Sequence, residues 1–234
     1  AIRDKVLSEM TVPTDEWENL GLAAGAEGTL LVGFRNPELR RYLGMTLAEV
    51  AAERETSAAD TAIDLVIEDG SRVQVVYFLM SEENVARGIG LPWVSFASDA
   101  RSMTSAGSFL EQSTHPRAYG NFARVLGKYV REEQVISLPE AIRKLSKLPA
   151  TNLKIRDRGE LKESYFADIV IFDPAQIQDH ATFDDPHQYA TGMAYVIVNG
   201  DIVIDKGEHT GALPGQVVRG PGWRGWPRCC PTRT

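Results

Sequence analysis

The sequence predicts an α/β fold that is followed by a small β domain, and three observations lead to this class. The first half alternates short apolar runs with helix-forming segments, the later part is rich in β-branched and aromatic residues, and the character changes near residue 156. Strands that are joined through helices are usually parallel. We therefore predict an α/β part over 1–156, a small β domain over 157–219 and an irregular tail over 220–234.

The α/β part contains three predicted strands, at 28–34, 73–79 and 92–98. Each is a short run of apolar, β-branched or aromatic residues, the composition of a buried strand. Three strands cannot close a barrel that needs eight. The sequence therefore leaves two possibilities, a small open sheet or the end of a larger structure.

Helix starts are marked by capping residues. Asn36 precedes Pro37, Thr46 and Glu49 form a capping-box pattern, and Ser57 precedes a third amphipathic segment that Gly70 closes. Further helices are expected after Ser81, over 121–131 and over 139–147. Asn199-Gly200, between two runs of β-branched residues, predicts a tight hairpin in the β domain.

Composition excludes several classes of protein. The formal net charge of −7 argues against a nucleic-acid surface, which needs clustered Lys and Arg. No apolar run is long enough to span a membrane, and no signal-peptide pattern follows Ala1. Cys229 and Cys230 are the only cysteines and are adjacent, so a disulfide framework is not expected. These features lead us to expect a cytoplasmic protein.

Asp99 is the first candidate for a functional residue. It directly follows the predicted strand 92–98, and catalytic groups gather at the carboxyl ends of strands in parallel α/β architecture. A carboxylate there can bind a cation and accept a proton from metal-bound water. The alternative is an N-cap or an ordinary loop aspartate, and position alone does not decide between them.

A second candidate is the segment 113–120, which brings His115, Arg117 and Tyr119 within five positions. Arg suits the planar carboxylate of a ligand. The alternative is a helix-entry turn at His115-Pro116 with Arg117 in a surface ion pair. Of the other histidines, His180 and His209 lie in polar loop contexts and are expected to be solvated, whereas His187 resembles a loop residue near the start of a strand. None of the three shows a spacing that is typical of zinc ligands.

Several segments together resemble the N-acyl-D-amino-acid deacylases (D-aminoacylases) of the amidohydrolase superfamily. The similarity runs from about residue 17 to residue 219. Its strongest parts are Ala97-Ser98-Asp99-Ala100 and the run from His115 to Gly127, and it continues through 165–170, 185–189 and 198–211.

The resemblance implies a fold and a chemistry. The chain would be the C-terminal part of a TIM-like (β/α) barrel, followed by part of a small β-sandwich domain. The reaction implied is hydrolysis of the amide bond of N-acyl-D-amino acids by a zinc-bound water, with Asp99 as proton shuttle and metal ligand. His115, Arg117 and Tyr119 would lie near the substrate or around the metal.

Two departures limit what can be transferred. The family's histidine and cysteine metal ligands match nothing in this sequence and are expected upstream of it, so we expect the chain alone to bind zinc weakly and to show little or no activity. Ser164 stands where the family usually has glycine. A complementary N-terminal portion or self-association is expected to cover exposed apolar faces. A cyclic-amide amidohydrolase, similar to hydantoinase or dihydroorotase, and a non-catalytic fragment stay open as alternatives.

Overall fold

A computed structural model describes residues 2–224 of the chain. The described residues form two compact units. The first comprises 2–88, 98–121 and 179–190, and the second comprises 89–97, 122–178 and 191–224. The tail residues 225–234, including Cys229 and Cys230, lie outside the described part. Residues 220–224 contain no helix or strand, and the rest of the predicted irregular tail is outside the described residues.

Helices and two small sheets make up the regular structure. The α-helices are Ile2–Thr11, Leu20–Ala24, Leu47–Glu53, Ala58–Asp69, Glu82–Gly90, Arg117–Arg124, Leu138–Ile142 and Leu148–Asn152. Pro37–Tyr42 and Gly107–Glu111 are 3₁₀ helices, and Val125–Glu132 and Arg143–Lys147 are π-helical. The strands are β1 (Thr29–Gly33), β2 (Gln74–Tyr77), β3 (Ile169–Phe172), β4 (Met193–Val198), β5 (Asp201–Asp205) and β6 (Glu208–His209).

The predicted helix starts of the first unit are confirmed. The Asn36 side chain accepts a hydrogen bond from the Glu38 backbone N–H at 3.0 Å, although the helix that it caps is 3₁₀. Thr46 and Glu49 form the complete capping box, and Ser57 caps the helix that ends at the left-handed Gly70. These features depend on residues a few positions apart, so the local sequence is enough to specify them.

The predicted parallel sheet is wrong for the strands that form. β1 pairs antiparallel with β2, with Leu30 opposite Val76. The connection between these strands is long enough to return the chain in either direction, so its helices do not fix the strand orientation. Residues 92–98 form no strand at all. Pro92 cannot donate to a ladder and Trp93 is 68% exposed, so this segment has neither the pairing nor the burial that a strand requires.

The core of the first unit lies between β1 and the helices that follow it. Leu65 of the helix Ala58–Asp69 packs with residues of β1, of the 3₁₀ helix and of the helix Leu47–Glu53, and Phe34 is 1% exposed. The buried cluster consists of Leu31, Phe34, Leu39, Tyr42, Val50 and Leu65. The alternation of apolar side chains along these helices is therefore used for burial.

The second unit contains one antiparallel sheet in the order β3-β4-β5-β6. The predicted hairpin joins β4 to β5, and Asn199 and Gly200 adopt φ values of 52° and 93°. Both angles lie in the left-handed region that a tight two-residue turn needs. The sheet and the helices of this unit agree with the α/β class. Among residues 2–224, no helix is both long and apolar enough to cross a membrane.

Candidate functional site

Asp99 lies in an irregular segment of the first unit, so its expected place at the end of a strand is not found. Its φ is 45°, in the left-handed region, which aspartate tolerates better than most residues. Its side chain is 87% exposed. An accessible carboxylate held in an uncommon backbone conformation is available to bind a ligand.

Arg117 connects Asp99 to the helix Arg117–Arg124. Its Nη2 donates to Asp99 Oδ2 at 2.7 Å. The Arg117 Nε atom is buried and has no hydrogen-bond acceptor among residues 2–224. A buried donor without a partner loses about 1–3 kcal/mol relative to a satisfied one, so this position of the guanidinium has an energetic cost.

His115 lies half-buried immediately before the same helix. Its Nδ1 accepts a hydrogen bond from the Arg117 backbone N–H at 3.1 Å, which places the proton of the neutral ring on Nε2. The ring packs edge-on against Phe183, with 5.1 Å between the centroids. Burial, and secondarily the nearby Arg117 cation, lower the pKa of His115 below its ordinary value. Both features of the alternative interpretation of this segment are present: His115-Pro116 leads into the helix that begins at Arg117, and Arg117 forms an exposed ion pair with Asp99.

Tyr119 belongs to a hydrogen-bonded network that sequence reasoning missed. Its hydroxyl lies 2.9 Å from the Thr104 carbonyl oxygen and 2.9 Å from His187 Nδ1. His187 Nε2 in turn lies 2.7 Å from the Gln112 carbonyl oxygen. The sequence had placed His187 in a loop near the start of a strand, without a functional role. The ring of Tyr189, two residues later, also contacts Tyr119.

The number of protons available limits how many of these contacts can be hydrogen bonds at the same time. The carbonyl oxygens of Thr104 and Gln112 can only accept, so the three contacts need three protons. A neutral Tyr119 hydroxyl and a neutral His187 ring supply two. Burial, and secondarily Tyr189, raise the pKa of Tyr119, so its hydroxyl keeps its proton. One contact in the network therefore lacks a proton whenever His187 is neutral.

The described residues do not form a metal site by themselves. Among residues 2–224, no group of three or more His, Cys, Asp or Glu side chains is arranged to hold an ion. Asp99 is one carboxylate and it pairs with a guanidinium, whereas zinc sites in proteins use three or four ligands. The residues present could supply one ligand and do not fit zinc alone.

A large apolar cavity of the first unit lies elsewhere. It has a volume of about 560 Å³ and is lined mainly by apolar side chains, among them Met10, Leu22, Ile63 and Val75. None of Asp99, His115, Arg117 and Tyr119 lines it. Cavity size therefore does not identify the polar cluster, which stands out by its ion pair, its unsatisfied donor and its histidines.

Comparison with known proteins shows similarity over most of this chain. A model of the amidohydrolase family matches residues 94–204. A D-aminoacylase of Alcaligenes xylosoxydans xylosoxydans is 37% identical over 182 residues, which cover 78% of this chain and 34% of that protein. An N-acyl-D-aspartate deacylase of the same organism is 42% identical over 144 residues, which cover 61% of this chain and 27% of that protein.

Solved structures show the same relationship. A crystal structure of D-aminoacylase superposes with a TM-score of 0.70 at 33% identity, covering 81% of this chain and 37% of that one. The N-acyl-D-glutamate deacylase of Bordetella bronchiseptica gives a TM-score of 0.70 at 30% identity, covering 86% and 39%. That structure holds zinc and a phosphonate inhibitor that mimics the tetrahedral intermediate. The chain spans about a third of the length of the relatives that it matches.

Sequence and structure therefore agree that this chain is similar to proteins of the amidohydrolase family, among them D-aminoacylases and N-acyl-D-amino-acid deacylases.

Proposed function

We propose that this chain forms part of a zinc-dependent enzyme that hydrolyses the amide bond of N-acyl-D-amino acids. The observation that carries the proposal is the pairing of an accessible carboxylate, Asp99, with a guanidinium, Arg117, that has one donor still unsatisfied. This pair lies in a segment matched by the amidohydrolase family model, and the relatives named above are deacylases.

Asp99 is the proposed proton carrier and a proposed ligand of the metal. Its carboxylate is exposed to a reacting group, and a carboxylate can accept a proton from a nucleophilic water and deliver it to a leaving amine. Bound zinc lowers the pKa of a water, which is the chemistry that the metal would supply. The other ligands would come from residues outside those described.

Arg117 is the proposed anchor for the carboxylate of the substrate. A guanidinium binds a carboxylate through two parallel hydrogen bonds, and the Arg117 side chain is 41% exposed, so part of it can be reached by a ligand. The present bond to Asp99 is exposed to solvent and therefore weak, so a substrate carboxylate can compete for the guanidinium. His115 and Tyr119, on the same turn and helix, are proposed to shape the surroundings of the substrate.

The architecture implied by this function also remains a proposal. We propose that 1–156 corresponds to the later units of a TIM-like barrel and that 157–219 belongs to a small β-sandwich domain. The four-stranded sheet β3-β4-β5-β6 supports the assignment of 157–219 to a β domain. Val170 and Ile171 on β3 are each 49% exposed, and because consecutive strand residues point to opposite faces, a second sheet packed on one face would cover one of them.

The alternatives differ in their support. The relatives named here act on linear N-acyl-D-amino acids, which does not favour a cyclic-amide hydrolase. A non-catalytic fragment remains the competing proposal, because a single carboxylate does not hold zinc.

A chimeric enzyme tests the proposal. The region of a D-aminoacylase that aligns with this chain is replaced by residues 17–219, so that the relative supplies the missing ligands. We expect the chimera to bind zinc and to hydrolyse N-acetyl-D-amino acids but not their L-isomers. Asp99→Ala should lower kcat by a factor on the order of a thousand, the range of losses seen when a group that acts in the transition state is removed. Arg117→Met should mainly raise KM.

The isolated chain provides the matched control. We expect no measurable deacylation by the 234-residue protein with added zinc. Turnover by the isolated chain that Asp99→Ala abolishes would contradict the assignment of an incomplete site. A chimera that folds and binds zinc but has no activity would overturn the proposed function.

A further inference from the structure

The second unit contains a polar pocket that the proposed hydrolysis does not use. Its volume is about 450 Å³, within the range of small-molecule sites. The residues that matter here are four cationic side chains and two aromatic rings, Lys154, Arg156, Arg158, Arg219, Phe166 and Trp223. All of them belong to the second unit.

The charge of this pocket contrasts with that of the whole chain. The protein carries a net charge of −7, yet no Asp or Glu follows Glu208 in the sequence. Only one carboxylate, that of Asp157, lines the pocket. Lys154, Arg156 and Arg219 form no ion pair within residues 2–224. The pocket is therefore a local positive region on an acidic protein, and such regions attract anions.

The floor of the pocket is rigidly held. Arg158 pairs with Asp168, donates to Asn199 Oδ1 at 2.5 Å, and stacks over Phe166 with 4.0 Å between Cζ and the ring centroid. Asn199 also donates to the Pro214 carbonyl oxygen at 2.7 Å, which fixes the segment that leads to Arg219. These contacts hold the side chains that would touch a ligand in place before the ligand binds.

Lys154, one of the residues that line the pocket, has a strained backbone conformation. Lys154 has a φ of 55° at the end of the helix Leu148–Asn152, and its N–H donates to the Thr151 carbonyl oxygen at 3.1 Å. Glycine is the usual residue in this left-handed position, and a side chain there costs about 1 kcal/mol. Strained residues tend to occur where they serve a ligand. Here the strain places an ammonium at the pocket.

We propose that this pocket binds a nucleotide. Three cations that pair with no carboxylate among residues 2–224 match the several negative charges of a polyphosphate. Aromatic rings and stacked guanidinium groups are the surfaces on which a base packs. Arg219 lies over the Trp223 ring at 4.6 Å, so the base and the phosphates would contact neighbouring side chains.

Calorimetric titration of the full chain with ATP tests the proposal, with inorganic tripolyphosphate and adenosine as separate ligands. We expect ATP to bind more tightly than either component, and the affinity to fall with added salt. Arg156→Ala and Arg219→Ala should each weaken ATP binding about tenfold or more, because each removes charge-assisted hydrogen bonds. Arg72→Ala, an exposed arginine of the first unit, should leave the affinity unchanged.

Lys154→Gly separates binding from folding. This variant should raise stability by relieving the strain and at the same time weaken ATP binding. Three results would overturn the proposal: no binding of ATP by the wild-type chain, tripolyphosphate binding as tightly as ATP, or an affinity that all three pocket substitutions leave unchanged. Each can be obtained whether or not the chain contributes to deacylation.

Discussion

Arg117 Nη2 and Asp99 Oδ2 lie 2.7 Å apart across 18 positions of the sequence, and both side chains remain accessible to solvent. An exposed ion pair contributes little to folding, because solvent and salt screen it. The pair is therefore better suited to recognition than to stability, since either member can exchange its partner for a ligand.

This pair leads to the first prediction. Asp99→Asn and Arg117→Met should each change the free energy of unfolding by less than about 1 kcal/mol, and a double-mutant cycle should give a coupling energy in the same range. Asn is the suitable replacement because it also tolerates the left-handed φ of 45°. Urea unfolding measures these values. A coupling energy of several kcal/mol would mean that the pair serves the fold.

The second prediction concerns pH. The pKa of His115 is lowered in the folded state, first by burial and then by Arg117, from the ordinary value of 6.5. As the pH falls, His115 therefore becomes protonated at a higher pH in the unfolded chain than in the folded chain. The contribution of His115 to stability is complete above about pH 6.5 and is lost as the pH falls through and below that value.

Unfolding in urea at about pH 7.5 and about pH 5.5 checks this direction. The wild type should be less stable at the lower pH, and His115→Gln should lose a smaller part of its stability over the same interval. His209→Gln, in an exposed strand, serves as control and should behave as the wild type. An equal pH dependence in His115→Gln and the wild type would contradict the prediction.

Lys144 leads to the third prediction. It is 0% exposed, and its Nζ donates to the carbonyl oxygens of Ile89 and Leu91 and lies 5.0 Å from the Phe96 ring centroid. The Leu91 carbonyl also accepts from Val94 N–H at 3.2 Å, whereas the Ile89 carbonyl lies in the last turn of its helix. Removing the ammonium leaves the Ile89 carbonyl unsatisfied.

Lys144→Met should therefore destabilise the fold by about 2 kcal/mol, the cost of a buried acceptor without a donor. Lys147→Met, three residues along the same helical segment, removes only an exposed ion pair with Glu160 and should cost less than about 1 kcal/mol. Equal stability of Lys144→Met and the wild type would show that relief from burying a charge offsets the lost hydrogen bonds.

Features that depend on residues close together in the sequence were predicted correctly, whereas features that depend on distant parts of the chain were not. The caps at Asn36, Thr46 and Ser57 and the turn at Asn199 are determined within a few residues, so the sequence was sufficient. A strand at 92–98 would have required a neighbouring chain to pair with. Composition alone cannot indicate whether such a neighbour is present.

The same reasoning explains the site. Asp99, His115, Arg117 and Tyr119 were identified from one stretch of 21 residues, and the structure brings Asp99 and Arg117 into contact. His187 contacts Tyr119 across 68 positions. No local pattern marks a partner at that distance, so His187 could only be assigned to a loop near the start of a strand.

The last prediction concerns Ser164, the position at which the sequence departs from the family resemblance. The structure gives it a φ of 68°, a conformation that is strained for residues with a side chain. Ser164→Gly removes that strain but also makes the unfolded chain more flexible, so we expect a net gain of roughly 0.5 kcal/mol. Ser102→Gly, in an exposed irregular segment without a positive φ, keeps only the second effect and should lose about the same amount. Opposite signs for the two substitutions in thermal unfolding would identify backbone strain as the cause, whereas a loss in both would show that the turn at Ser164 tolerates its side chain.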